Sequence, residues 1–472
     1  MKLTKGSKLF ENKKVLLVGL GSLGGGLAMA KFLLKEGARL TITDLKTAHE
    51  LKESIARLPR GKVKLVLGKH RKEDFIKNDS IVCNQATSIH SPWLAIARKH
   101  NKRIESDLTL YLSILKKRDI PYCALTGTRG KTTTTNWLAH FIGGDTIVGG
   151  NMPQKGLLGI VYKKTKLFVL ELSSFQLEYI KRGCVAPKVA CITNLSVDHL
   201  NRHKTFAEYA RVKARIFLNQ TESDFLVLNA DDRNTKFFLK QKPKSKIYFT
   251  SLRVLPKTKN GLYSVNNTIY FQEAGKRARI TRVEGLGDHE KRNLLMAMLG
   301  AHLYGVSWKN ILLRTHSLPQ IPLRQEVIVK KRVLTVINDS AGTSPEATIA
   351  ALQKFSKQPR LVLITGGTDK QLEFKDLAKR ITRTLQEENL FLLEGSATNK
   401  LIIELQKQRF FKKEPQLFEN LESIVTCVSK TLFTNPSSLT TILFSPASAS
   451  FEKFKNEFDR GTKFTALAKK YL

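Results

Sequence analysis

The chain has 472 residues and a formal net charge of +40, from 80 Lys and Arg against 40 Asp and Glu. Its 42% hydrophobic and 8% aromatic content supplies more than one packed core, about three on a length prior of ~150 residues each, and excludes a largely disordered chain. No apolar run reaches the roughly 18 residues of a membrane helix, and the opening "MKLTKGSKLFENKK" lacks the apolar centre of a signal peptide, so no membrane partner and a cytoplasmic location are expected.

The five cysteines form no CxxC pair, which excludes a zinc ribbon or a disulfide framework as organising features. The positive charge would suit a nucleic-acid partner, but the lysines run along the whole length. They gather only in short clusters such as "KKTK" (163–166) and "KQKPKSKIYF" (240–249), with no basic tail. That spread favours a general lysine bias with an anionic small substrate over a nucleic-acid-binding face.

The first predicted unit is "KVLLVGLGSLGGGLAMAKFLLKEGARLTITD": apolar strand, glycine turn, amphipathic helix, second strand. Gly19, Gly21 and Gly24 fit GxGxxG, and Asp44 closes the next strand twenty positions after Gly24. Two readings stand at this point. The turn is either a nucleotide diphosphate site at a helix N-terminus, or a glycine turn that packs helix on sheet.

A second strand–turn–helix unit follows in "IPYCALTGTRGKTTTTNWLAHFI". The strict GxxxxGK[ST] pattern is not met, because Leu125 occupies its first glycine; the shorter form Gly127-Thr128-Arg129-Gly130-Lys131-Thr132, followed by Thr133, stands instead. Backbone N–H groups around Gly130, the Lys131 ammonium and a threonine hydroxyl suit ATP phosphates and Mg²⁺.

"KLFVLELSSFQLEYI" (166–180) and "KVACITNLSVDHLNRH" (188–203) each read as a strand ending in polar residues. Their ends bring Glu171 and His199 forward as candidate Mg²⁺ ligands. In the helical stretch "FAEYARVKARIFLN" (206–219), charge pattern alone makes Lys213 a solvated lysine like Arg211 and Arg215.

The prolines of "SLPQIPLRQEV" (317–327) mark a linker. Beyond it, strands are predicted at 332–339, 360–367, 389–395 and 439–447, alternating with helices as in a third doubly wound sheet. Asn338, Asp339, Thr343, Asp369, Lys370, Ser445 and Ser450 fall at their ends.

The order of these pieces resembles the Mur ligase superfamily, ATP-dependent enzymes that join an amino acid to a carboxylate. "GTRGKTTT", "ELSSFQLE", "TNLSVDHLNRH", "NDSAGTSPEATIAAL", "GGTDKQLEF" and "SPASASFEKFKNEFDRG" resemble in particular its branch that adds D-glutamate to UDP-N-acetylmuramoyl-L-alanine in peptidoglycan precursor synthesis.

The resemblance implies a monomeric α/β chain of three domains. These are a Rossmann-like UDP-precursor domain (1–118), a central P-loop-type ATPase domain (119–318) and a Rossmann-like amino-acid domain (319–472). It also implies ATP and Mg²⁺ as cofactors.

By the same resemblance, Lys131 holds the ATP phosphates, Thr132 and Glu171 serve one Mg²⁺, and His199 a second. Lys213 is expected to be carbamylated into an oxygen ligand. Asn293, Arg324 and Asp339 are expected at adenosine and phosphate, Asn151 at the muramoyl group, and Thr343, Lys370 and Ser450 at glutamate. Ser22, Leu23, Gly24, Asp44 and Lys46 are expected at the UDP portion.

Four positions depart from the family's motifs: Ala86 replaces a glycine, Glu290 an asparagine, Ala341 a lysine and Glu457 an aromatic residue.

Overall fold

The computed structural model describes residues 8–22, 24–59, 61–152, 156–433 and 439–472. The chain divides into two compact units, residues 1–284 with 290–318, and residues 285–289 with 319–472. The division after Leu318 falls inside the proline-marked stretch.

The first unit carries two sheets. In one, β1 (Lys14–Val18), β2 (Arg39–Asp44), β3 (Val63–Leu67), β4 (Ser80–Cys83) and β5 (Arg103–Ser106) lie parallel in the order β3-β2-β1-β4-β5. Helices cover such sheets on both faces, which is why β1 reads as an unbroken apolar run with only Lys14 exposed.

The other sheet begins with six parallel strands: β6 (Tyr122–Thr126), β7 (Ile147–Gly150), β8 (Phe168–Glu171), β9 (Val189–Ile192), β10 (Phe225–Asn229) and β11 (Lys246–Ser251). It continues through β12 (Gly261–Val265), β13 (Thr268–Glu273) and β14 (Lys276–Arg282), the last two pairing antiparallel. The full order is β14-β13-β12-β11-β10-β9-β6-β8-β7. Strand order reverses at β1 in the first sheet and at β6 in the second, and crevices at such switch points are where open α/β sheets bind ligands.

The second unit carries β15 (Glu326–Lys330), β16 (Leu334–Asn338), β17 (Arg360–Gly366), β18 (Leu390–Leu393), β19 (Leu417–Phe418) and β20 (Thr440–Phe444), in the order β15-β16-β20-β17-β18-β19. β16, β17, β18 and β20 are the four strands predicted there. β15, which runs antiparallel to β16, and the hairpins of β12–β14 were not anticipated.

The core of this unit splits into two layers, one around Leu363, Leu377 and Leu401, the other around Ile364, Val425 and Phe464. Successive residues of β17 serve opposite layers, as the period-2 geometry of a strand requires. No helix among the described residues is long and apolar enough to cross a membrane.

Candidate active site

The turn after β6 is built by two glycines that no other residue can replace without movement. Gly127 has φ +146, and an added Cβ would lie 1.9 Å from Thr193 Oγ1. At Gly130, with φ +78, it would lie 2.4 Å from Asn293 Oδ1. Gly130 caps the helix Lys131–Ile142 with no side-chain cap hydrogen bond, and Thr132 and Thr133 sit in its first turn.

Loop 193–196 clasps the turn from the other side. Thr128 N–H donates to Asn194 O (3.0 Å), Arg129 N–H to Asn194 Oδ1 (3.0 Å), and Thr193 Oγ1 to Arg129 O (2.6 Å). Asn293, on the helix Asp288–Tyr304, meets the turn through Thr134 Oγ1 at 3.2 Å.

Two ammonium groups converge on this turn. Lys131 Nζ donates to Gly127 O and Thr128 O, each at 3.0 Å, and Lys213 Nζ donates to Gly127 O at 2.8 Å. The structure overturns the reading of Lys213 as solvated: it is 1% exposed, while Arg211 lies outside.

The reason is helical geometry. Tyr209 and Lys213 stand one turn apart on the inward face of the helix Phe206–Ala214, and the Tyr209 ring lies 4.7 Å beneath the ammonium. Burial first, and the neighbouring Lys131 charge second, push the Lys213 pKa well below the ordinary lysine value.

Glu171 ends β8, 2% exposed. Its Oε1 accepts from Asn151 Nδ2 at 3.2 Å, whereas Oε2 is buried with no hydrogen-bond partner. A carboxylate oxygen in that state is costly unless a cation meets it, which fits a hard divalent metal. No group of three His, Cys, Asp or Glu side chains among the described residues forms a ready metal cage.

His199 lies beyond β9, capping the helix Leu200–His203 at φ 53 rather than ending the strand. Its ring packs 4.9 Å from Phe175. Lost hydration, opposed by Asp198 and reinforced by Lys213 and Lys131, lowers its pKa, a shift towards the neutral form that a metal requires.

In the first sheet, the Asp44 carboxylate is taken up by the turn itself, accepting from Gly21 N–H at 3.0 Å and Lys46 N–H at 2.9 Å. Lys46 Nζ reaches the exposed Ser22 Oγ at 3.4 Å, and Gly24 caps the helix Gly25–Lys35 at φ 87. Leu23 lies outside the described residues. His70, which the sequence did not single out, bonds Thr43 Oγ1 through Nδ1 at 2.7 Å beside Asp44.

A second residue missed in the sequence is Arg202. Its guanidinium grips Glu178 in a fork of two 2.8 Å bonds, and also donates to Thr87 O (2.8 Å), Gln85 O (3.3 Å) and Ala86 O (2.6 Å). It thereby ties the loop after β4, where Ala86 stands, to the segment that carries His199.

In the second unit, Asp339 is buried, accepting from Ser445 Oγ at 2.8 Å and Gln325 N–H at 3.2 Å; burial, only partly offset by these bonds and by Arg324, pushes its pKa up to about 7. Lys370 is exposed and reaches Thr343 Oγ1 at 3.4 Å. Ser450 Oγ is buried with no hydrogen-bond partner.

Arg460, fully buried, was not foreseen. It donates to Ser340 Oγ and O, Ser448 O and Ala449 O, joining the loops after β16 and β20.

A glycine turn at a sheet's switch point, two lysines drawn onto it and an orphaned carboxylate beside it define a nucleotide-using α/β enzyme that handles phosphates. Sequence comparison refines the class: residues 13–106 match the family model "Mur ligase MurD-like, N-terminal domain" and residues 125–301 match "Mur ligase middle domain". A UDP-N-acetylmuramoylalanine–D-glutamate ligase of Roseiflexus sp. is 33% identical over 97% of this chain and 99% of its own. The chain belongs to the Mur ligase family.

Solved structures agree in fold. A UDP-N-acetylmuramate–alanine ligase from Thermotoga maritima aligns with a TM-score of 0.59 at 20% identity, over 97% of this chain and 100% of its own. A MurF ligase from the same organism, solved in complex with ADP, aligns at 0.56 and 16% identity, over 98% and 96%.

Proposed function

We propose that this Mur ligase uses ATP to join D-glutamate to UDP-N-acetylmuramoyl-L-alanine, a step of peptidoglycan precursor synthesis. The observation that carries the reading is the end-to-end likeness to a relative bearing that name, which runs through the third sheet as well as the ATP turn.

The chemistry is an activation followed by a transfer. The alanyl carboxylate attacks the γ-phosphorus of ATP and breaks its bond to the bridging oxygen, leaving an acyl phosphate and ADP. The amine of glutamate then adds to the acyl carbon, expels phosphate and loses a proton. Both steps crowd anions together, so positioned cations supply most of the acceleration.

In this reading Lys131 leaves its loop carbonyls for the ATP phosphates, with Thr128, Arg129 and Thr133 lining the turn and Asn293 toward adenosine. Mg²⁺, when bound, screens the phosphate charge and would be held by Thr132, Glu171, His199 and a carbamylated Lys213. The low pKa of Lys213 supports that modification, because only the neutral amine attacks CO₂.

Asn151 is assigned to the muramoyl group, and the turn of Ser22, Leu23, Gly24, Asp44 and Lys46 to UDP. Arg324 and Asp339 are assigned to nucleotide contacts, and Thr343, Lys370 and Ser450 to glutamate. The domain division at 1–118, 119–318 and 319–472 is part of the same proposal.

Phosphate release measured with D-glutamate, L-glutamate, lysine or diaminopimelate tests it, the product being weighed by mass spectrometry. Release is expected only with D-glutamate and the muramoyl nucleotide together. Equal turnover without the nucleotide, or with L-glutamate, would overturn the assignment.

A further inference from the structure

Folding does not leave the excess of positive charge evenly spread. The amino ends of six parallel strands, β7, β8, β6, β9, β10 and β11, stand side by side. Backbone bonds fix that alignment: Lys188 N–H donates to Tyr122 O (2.8 Å), Phe225 N–H to Lys188 O (3.0 Å) and Lys246 N–H to Asp224 O (2.9 Å). At roughly 4.8 Å between neighbours, the row is about 24 Å wide.

The approach to each of three strands in this row is lysine-rich and exposed. Lys116 and Lys117 precede β6 at the end of the helix Asp107–Arg118. Lys163, Lys164 and Lys166 precede β8. Lys240, Lys242 and Lys244 lead into β11, which itself opens on an exposed Lys246. The first cluster is drawn toward the second by Arg118, which donates to Val161 O and Lys163 O.

The exposed acids Asp119, Asp145 and Glu222 stand among them but are outnumbered. Asp224 is already bonded by Thr221 and paired with Lys188 at 3.4 Å. The opposite, carboxyl end of the same strands mixes Glu171, Asp231 and Asp232 with Arg129, Lys131 and Lys213. The exposed lysine excess thus lies at the amino ends, a cationic pole on the side of the sheet away from the ATP turn.

We propose that this pole docks the enzyme on an anionic lipid surface. Lysines are compact, mobile point charges that suit a diffuse sheet of phosphates, whereas base reading calls for forked arginines and stacking rings. The pole has little of either. Arg118 is spent on carbonyls, leaving Arg182 exposed before β9; the ring of Tyr162 is covered by Lys35 at 4.0 Å and Phe32 at 6.0 Å, and that of Phe225 by Lys188 and Lys246, each at 5.9 Å. An anionic membrane face attracts each nearby lysine with about fivefold in binding, so losing three costs about a hundredfold.

The test is co-sedimentation of the full-length enzyme with vesicles of phosphatidylcholine containing 30% phosphatidylglycerol, about a third of the lipid, a density at which such steering operates. Binding is expected to these and not to pure phosphatidylcholine, and to vanish at 1 M salt, where the screening length falls to about 3 Å.

The triple variants Lys163→Gln/Lys164→Gln/Lys166→Gln and Lys240→Gln/Lys242→Gln/Lys244→Gln should each lower binding about a hundredfold while ligation proceeds at the parental rate. Lys407→Gln/Lys412→Gln/Lys413→Gln, in the other unit, removes the same charge and should leave binding intact. The proposal is overturned if this control weakens binding equally, or if the enzyme ignores the vesicles and binds single-stranded RNA through the same lysines.

Discussion

The two glycine turns of the first unit share a backbone and differ in charge. Each follows a central parallel strand, each ends in a glycine at positive φ, Gly24 at 87° and Gly130 at 78°, and each opens a helix with no side-chain cap. In the first, a carboxylate takes one N–H of the turn: Asp44 accepts from Gly21, and from Lys46 just after its own strand. In the second, two ammonium groups approach from the carbonyl side.

The same fold element thus carries a carboxylate on one of its N–H groups in one sheet and two lysine side chains on its carbonyls in the other. A glycine fingerprint reports that the chain can come close to a ligand. The charges within reach decide what that ligand is.

Removing the cation should break this contrast most severely. Lys131→Met takes away the group assigned to the phosphates, and we expect kcat to fall about 10³-fold with the far-ultraviolet spectrum unchanged. Retained turnover would show that Lys131 is not the group that meets the phosphates.

Next come the glycines themselves. Gly24→Ala meets nothing within 4 Å, so only the left-handed backbone resists it, at about 1 kcal/mol in urea unfolding. Gly130→Ala carries that strain and also the contact with Asn293, and should lose at least twice as much while raising KM for ATP. Equal losses would show that the close approach at Gly130 is not needed.

What the sequence made legible in this comparison was local. Gly19, Gly21, Gly24, Gly127, Gly130 and Lys131 announce themselves within a dozen residues, and the strands beside them are continuous apolar runs because both faces are covered. Lys213 was misread because its burial depends on a helix face packing onto the turn, and the signal that could have found it, Tyr209 one helical turn earlier, reads as ordinary core.

Arg202 and Arg460 were invisible for a harder reason. Besides nearer ones, they have partners 115 and 120 residues away, at Thr87 and Ser340, and no spacing rule reaches that far. His70, 27 residues from Thr43, is lost the same way. The lysine clusters at 163–166 and 240–244 could be seen but not joined, since their adjacency is a property of strand order.

Arg202 offers the next-largest effect, on the first turn's side only. Lysine at this position keeps the charge but cannot fork across Glu178 and three carbonyls together. Arg202→Lys should free the loop from Gln85 to Thr87 and raise KM for the muramoyl nucleotide about tenfold, with KM for ATP steady. If both KM values rise together, Arg202 serves the His199 segment rather than the loop.

The smallest expected effect on kinetics is the most discriminating. Asp44→Asn keeps the size of the side chain but leaves one carbonyl oxygen for two backbone donors, so either Gly21 N–H or Lys46 N–H faces an amide that cannot accept. That loss is worth about 1–2 kcal/mol of stability, read by urea unfolding.

The kinetic outcome separates two roles for the carboxylate. If Asp44 holds the turn in shape, KM for the muramoyl nucleotide rises several-fold as the turn loosens. If instead it acts mainly as a negative charge that keeps phosphates out, its removal lowers that KM. The bonds to Gly21 and Lys46, both short and both backbone, favour the first outcome, because a group meant only to repel would have no reason to be gripped on both oxygens.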